Sequence, residues 1–405
     1  MVREGSHING DPIFEKVLID AENGIYIDEW SLSSRELQVG GDWRIEKRRL
    51  YGGVSDGVDI ITVDNGKLSF VVVPTRGMSI WRGEYEGVFL GWNSPVRSLV
   101  HPFNINLEAK GGLGWLDGFN EMVVRCGLEY FGPPGKDVII DDTGSKAEVM
   151  LTLHGRIANI PASTVKVKVH GGSPVKLEIE GVVYESSMSG SNLKMSSSII
   201  TMAGSNSFTI SDTIENLRGV PSEMQILYHC NFGPPVLEEG SRFVAPIKKL
   251  APRDPVAADG VEQFNVYGPP TPGFIEQVYY MDLLADDKGE TLAVLTNSNG
   301  DKAVSISYSV KELPHFTLWK NTVSIEDGYV TGLEPGTSFP NVKPFERSRG
   351  RVINLQPGEK FHSGITVSIY LGREAVRKVL SRIDEIRGAV QPEIFKRPIE
   401  EFSPI

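Results

Sequence analysis

Two side chains at the ends of apolar runs have the chemistry to move protons: His229 in QILYHCNFGPP and Glu334 in YVTGLEPGTSFPN. An imidazole titrates near neutrality and can give or take a proton at physiological pH. Taken alone, His229 reads more plainly as a half-buried histidine satisfied on a β face. Glu334 lies between an apolar strand and a Gly/Pro turn, where the backbone could aim a carboxylate into a cleft; an exposed turn glutamate fits the local sequence equally well. His154 and Arg156 flank a glycine in VMLTLHGRIANIPA. Two residues apart at a strand end, they would face one side, and the glycine would let a ligand approach the backbone closely. A turn histidine beside a solvated arginine is the alternative.

Arg76 in PTRGMSI, Arg125 in EMVVRCGLEY and Arg156 in LHGRIAN all sit in apolar surroundings. A guanidinium is costly to bury alone, so each is expected to meet an acid or a ligand. Trp115 and Asp117 in GLGWLDGFNE could supply a sugar platform and a hydroxyl partner, because sugars pair apolar faces with fixed polar contacts. A core tryptophan and a loop-capping aspartate would look the same. No phosphate-binding glycine loop, HExxH pair or zinc-spaced cysteine cluster occurs, so any chemistry must come from residues that the fold gathers.

The elements that would gather them are mainly strands. The 405 residues include 43 glycines and 25 prolines, with 40% hydrophobic content, and short apolar runs between turn residues favour an all-β chain. Val58–Val63 and Leu68–Val73 around Asp64-Asn65-Gly66 predict a hairpin. Alternating Val165, Val167 and Val169 open a predicted antiparallel meander that runs to Ile214 with one buried face. Residues 91–137, rich in Gly, Trp, Phe and Pro, predict long ordered loops, and residues 233–273 a second irregular stretch. A helix is predicted over Arg373–Arg387 from the stripe Val376, Val379, Leu380, Ile383 and Ile386, capped by Gly388. The expected organisation is an N-terminal extension over residues 1–50, one β domain over 51–372, and a C-terminal helix and surface-laid tail over 373–405.

A net charge of −11, from 41 basic and 52 acidic residues, argues against a broad nucleic-acid or anionic-membrane footprint. Two cysteines, Cys126 and Cys230, make no disulfide framework and suit a reducing compartment. The opening MVREGSHINGDPIFEKVLID has no apolar core of signal-peptide length, and no apolar run reaches membrane-spanning length; the cytoplasm is the expected location.

The ordered set LHG…R, YHCNFG and GLEPGTSFPN resembles the galactose mutarotase-like (aldose 1-epimerase) superfamily. PTRGMSIW, GGLGWLDGFNEMVVRCGLEYFGPPG, LHGRIANIPA and LEPG are similar to a bacterial aldose 1-epimerase-like branch, over about residues 50–370. The resemblance implies a β-supersandwich that holds a free sugar on its concave face. It implies that His229 is the general acid, Glu334 the general base, and His154 a residue that steadies the sugar. It further implies sugar hydrogen bonds from Arg76, Asp117, Arg125, Arg156 and Glu276, and neither a metal nor an organic cofactor. Glu334 would take the C1 hydroxyl proton while His229 protonates the ring oxygen; the ring opens, C1–C2 rotates, and reclosure gives the other anomer.

Three features depart from that pattern. Cys230 follows His229 where classical mutarotases usually carry an aromatic residue or proline, the long loop of residues 91–137 has no close counterpart in the simplest members, and several arginines exceed what a neutral hexose needs. The excess suggests an acidic or modified sugar, such as a uronate or sugar phosphate. Another sugar isomerase or epimerase on the same fold and a non-catalytic sugar-binding or regulatory protein are the competing readings. The expected partner is a small-molecule sugar rather than nucleic acid or membrane, with a homodimer left open.

Overall fold

The computed structural model describes residues 11–140, 143–188 and 190–404. Two large sheets, antiparallel except for one parallel edge pair between Ile247–Pro252 and Glu393–Ile394, lie face to face. One has ten strands: Arg242–Val244, Glu290–Thr296, Lys302–Ser309, Lys360–Leu371, Ser207–Asn216, Asn192–Met202, Lys176–Ser186, Thr164–His170, Phe14–Asp20 and Ile25–Tyr26, in spatial order. The other has fourteen strands, and its centre runs Gln277–Leu283, His315–Asn321, Val330–Gly336, Ser222–Phe232, Val123–Leu128, Ser79–Tyr85. The predicted hairpin is present as Asp59–Asp64 and Leu68–Val73, and the predicted meander as four consecutive neighbours from Thr164 to Asn216.

The alternation that predicted these strands is what packs them. Leu193, Met195 and Ile199 point inward from Asn192–Met202 and meet Phe70, Val72 and Tyr228 of the facing sheet in one continuous apolar core. The three central strands Val123–Leu128, Ser222–Phe232 and Val330–Gly336 differ, because they are buried almost throughout on both faces. Their second face is covered by the Gly- and Trp-rich segment, whose Trp92, Trp115 and Phe119 pack on Val124, Cys126, Leu227 and Val330.

That segment is not loop throughout. Val123–Leu128 within residues 91–137 is a central strand, and residues 233–273 contain the strands Arg242–Val244 and Ile247–Pro252 and the short helix Pro255–Asp259. The predicted helix forms over Arg373–Arg387 and buries Val376, Val379 and Ile383 against Leu292 and Val294, with Leu380 and Ile386 partly buried beside them. Each such side chain stabilises by about 1.5–3 kcal/mol.

Residues 1–10 of the expected N-terminal extension lie outside the described residues; Phe14–Asp20 and Arg44–Arg49 each continue one of the sheets. The C-terminal tail is pinned by Phe402, which is buried against Phe339 and Tyr280. Cys126 and Cys230 are both free and buried. No helix among the described residues is long and apolar enough to cross a membrane.

Candidate active site

Strand register brings His229 and Glu334 together. Leu227 pairs with Gly336 and Cys230 with Leu333, which sets His229 across from Glu334 on the adjacent strand. His229 Nε2 and Glu334 Oε1 are 3.2 Å apart, close but off the line of a hydrogen bond, and the residues are only 5% and 2% exposed. Thr317 pairs across from Glu334 on the other side, and Trp319 across from Gly332. Gly332 makes room for the carboxyl: a Cβ there would fall 2.2 Å from Glu334 Oε1. Trp115 Nε1, Thr317 Oγ1 and Glu334 Oε1 are buried and have no hydrogen-bond partner among the described residues. Buried polar atoms are normally satisfied, so each of these has hydrogen-bonding capacity that the described residues leave unused.

Aromatic rings enclose the pair. The His229 ring lies 5.2 Å from Phe119, 5.4 Å from Trp319, 5.4 Å from His154 and 6.3 Å from Trp115, centroid to centroid. Trp115 is in turn 4.6 Å from His154. Glu276 closes one side, accepting from Trp319 Nε1 at 2.7 Å and from Arg253 at 3.1 Å.

Burial decides the charges. It holds His229 well below the usual imidazole range, with the neighbouring His154 adding to the effect. It lowers His154 to about 4, against the Phe131 carbonyl at 3.0 Å and the charge of Glu276, which act upward. It raises Glu334 well above the carboxylate range, as does Glu276, while Arg253 acts the other way. Burial thus favours uncharged imidazoles and a protonated Glu334, because it penalises the charged form of each.

A stability prediction follows for His154. Its folded pKa lies below the unfolded value, so its contribution is complete above about pH 6.5 and is lost as pH falls toward 4. His154→Gln is expected to remove up to one proton equivalent from the pH slope of unfolding in that window, read from urea melts. An unchanged slope would show that His154 is not buried in neutral form.

Of the residues singled out from sequence, the structure gathers His229, Glu334, His154 and Trp115, with Glu276 joined through Trp319. It does not gather the others. Arg125 is on the same strand as Val124 and Cys126 but alternates to the opposite face. There it is bound between the sheets by Asp212 at 2.8 and 2.9 Å, Ser197 at 2.6 Å and the Met78 carbonyl. Arg76 is fully buried behind the site, held by Glu121, Asn159 and the Gly118 carbonyl. Asp117 is exposed and paired with Lys110 at 2.6 Å. Arg156 reaches Ser191 at 3.2 Å and Glu129 at 4.0 Å.

The expectation that His154 and Arg156 share a strand face is also corrected. The strand ends at Leu151, and His154 and Gly155 both have positive φ, so the turn sends the two side chains apart. Among the described residues, no group of three or more His, Cys, Asp or Glu side chains is placed to hold a metal ion. Sequence reasoning missed Phe119, Trp319, Asn231 and Gly332. Asn231 and Gly332 were within reach, since each lies two residues from a singled-out group and a strand repeats every two.

Residues 55–369 match the family model described as "Domain of unknown function (DUF4432)". The chain is similar to a crystallised Klebsiella pneumoniae protein provisionally named an aldose 1-epimerase, with 40% identity, 95% of this chain and 99% of that chain covered, and a TM-score of 0.90. It also resembles a galactose mutarotase-like protein from Clostridium acetobutylicum, with 17% identity, coverage of 81% and 98%, and a TM-score of 0.51. A galactose 1-epimerase from Lactobacillus acidophilus shares 12% identity at 81% and 99% coverage, with a TM-score of 0.50. These last two similarities speak for the fold alone. No curated protein matches the chain.

Proposed function

Because the chain belongs to the DUF4432 family and has the galactose mutarotase-like fold, we propose that it is an aldose 1-epimerase-type isomerase acting on a free sugar at the His229–Glu334 pair. The observation that carries this reading is the 3.2 Å approach of an imidazole nitrogen to a buried carboxyl oxygen inside an aromatic enclosure. Anomer exchange moves one proton onto the ring oxygen and one off the C1 hydroxyl. Those two oxygens are bonded to the same carbon, so an acid and a base set close together suit them better than an aldose–ketose shift between two carbons.

The pair shares one proton between Nε2 and Oε1, and burial favours the placement on Glu334. Glu334 then protonates the ring oxygen as His229 Nε2 takes the C1 hydroxyl proton. The C1–ring-oxygen bond breaks to give the aldehyde, C1–C2 rotates, and reclosure returns both protons. The roles implied by family resemblance, Glu334 as base and His229 as acid, belong to the other placement of the same proton. The rings of Phe119 and Trp319 beside His229 are the apolar faces nearest the pair for the C–H side of a sugar.

The arginines that suggested an acidic or modified sugar are engaged elsewhere, and the carboxylate nearest the pair is Glu276, so we propose a sugar with no anionic group. Saturation-transfer NMR on neutral aldoses, uronates and sugar phosphates tests this. Faster anomer exchange for a neutral aldose is expected. Binding without exchange would make the protein a sugar sensor, and a ketose product would make it another isomerase; either outcome overturns the reading.

A further inference from the structure

We infer that Asn231 is the positioning residue that holds the His229 ring as its Nδ1–H tautomer, leaving Nε2 as the one nitrogen that trades a proton with Glu334 and the sugar; the inference rests on the acid–base reading above. Asn231 Oδ1 lies 2.6 Å from His229 Nδ1. The two ends of this amide are not interchangeable. Its Nδ2 donates to the Glu121 carbonyl at 2.9 Å and to the carbonyl of His229 itself at 3.2 Å. A carbonyl only accepts, so the NH2 must occupy that end. The oxygen therefore faces the ring, and because it too only accepts, Nδ1 must carry the hydrogen. In the neutral ring Nε2 is then bare and faces Glu334.

The far end of this relay is rigid. The Glu121 carbonyl also accepts from Trp92 Nε1 at 3.1 Å, while its carboxylate is held by Arg76 at 2.9 and 3.0 Å and by the Asn120 backbone N–H at 3.0 Å. Arg76 thus serves the site through Glu121 and Asn231 rather than by touching sugar. The other titratable groups around the ring come from separate elements: Glu334 and Cys126 on the two strands flanking that of His229, and His154 on its turn, with Glu276 and Arg253 at the rim. Among the described residues, Asn231 is the group bonded to Nδ1. Without it the ring can adopt the Nε2–H form, which would set a donor against a protonated Glu334 and leave no base for the C1 hydroxyl.

The test uses the full chain with 15N-labelled histidine, and the His229 signals are assigned by their loss in His229→Asn. Near neutral pH the wild-type ring is expected to show a protonated Nδ1 and a bare Nε2. Asn231→Leu should release the tautomer and lower kcat at least ~10-fold with KM within ~3-fold, since an imidazole in the wrong tautomer loses much of its acid–base contribution. Asn231→Asp should keep Nδ1–H, add a charge, and move the acidic limb of the pH–rate profile upward. A wild-type ring protonated on Nε2 overturns the inference, as does an Asn231→Leu protein with the tautomer and pH profile of wild type. The tautomer is read without turnover: Nδ1–H in a protein that exchanges no anomers would sink the proposed function and leave the tautomer assignment standing.

Discussion

Glu334→Gln is expected to slow anomer exchange by ~10²–10⁴-fold while sugar binding changes by no more than a few-fold. Glutamine has the same shape and fits beside Gly332, but it cannot protonate a ring oxygen or take up a proton. His229→Asn should fall by a comparable factor, and the double variant should be little slower than either single one. That non-additivity distinguishes a one-proton pair from two independent helpers, because removing either member abolishes the shared transfer. Exchange rates by saturation-transfer NMR and affinities by calorimetry separate the two effects. A Glu334→Gln protein within ~3-fold of wild-type exchange would remove this carboxyl from the chemistry.

The largest stability effect should come from a residue that sequence placed at the sugar. Arg125→Met is expected to cost about 3–5 kcal/mol, read as a lower urea midpoint, because it leaves the buried Asp212 carboxyl between the sheets without its guanidinium. Tyr228 still donates to Asp212 at 2.9 Å and offsets only part of that loss. Arg125→Met combined with Asp212→Leu should recover most of the stability, since removing both charges removes the desolvation penalty along with the attraction. Arg125→Lys, which keeps the charge but not the fork, should fall between. In every variant that folds, exchange per folded molecule should stay near wild type, because Arg125 projects away from His229. A rise in KM without loss of stability would return Arg125 to the sugar.

These two cases mark what could be read in the chain. Strands were legible because their side chains alternate between two environments, as in Val165, Val167 and Val169, and the helix at Arg373–Arg387 because its stripe repeats at helical spacing. The juxtaposition of His229 and Glu334 was legible through their motifs and the order of those motifs, not through local chemistry. The arginines were misjudged for a physical reason. An arginine among apolar residues needs a partner, and local sequence does not say whether that partner is a ligand or an acid. Asp212 lies 87 positions from Arg125, and Glu121 lies 45 from Arg76. His154 was misplaced because an apolar run looks like a strand until its backbone turns, and the positive φ of His154 and Gly155 is a property of the folded contacts around them. Trp319 was hidden in the same way, as an ordinary strand tryptophan whose importance comes from the ring it faces.

The doubly buried central strands have a bearing on how the chain finds its fold. In Ser222–Phe232 and Val330–Gly336 apolar residues face both ways, so hydrophobicity alone hardly distinguishes the native alignment from one displaced by a single residue. His229 and Glu334 break that near-symmetry. A one-residue slip would carry the imidazole or the carboxyl into the space between the sheets, where Cys230 and Leu333 now pack and where no partner awaits it. These two polar side chains would then act as proofreaders of strand alignment during folding, and apolar replacements of them would gain stability while losing fidelity of assembly.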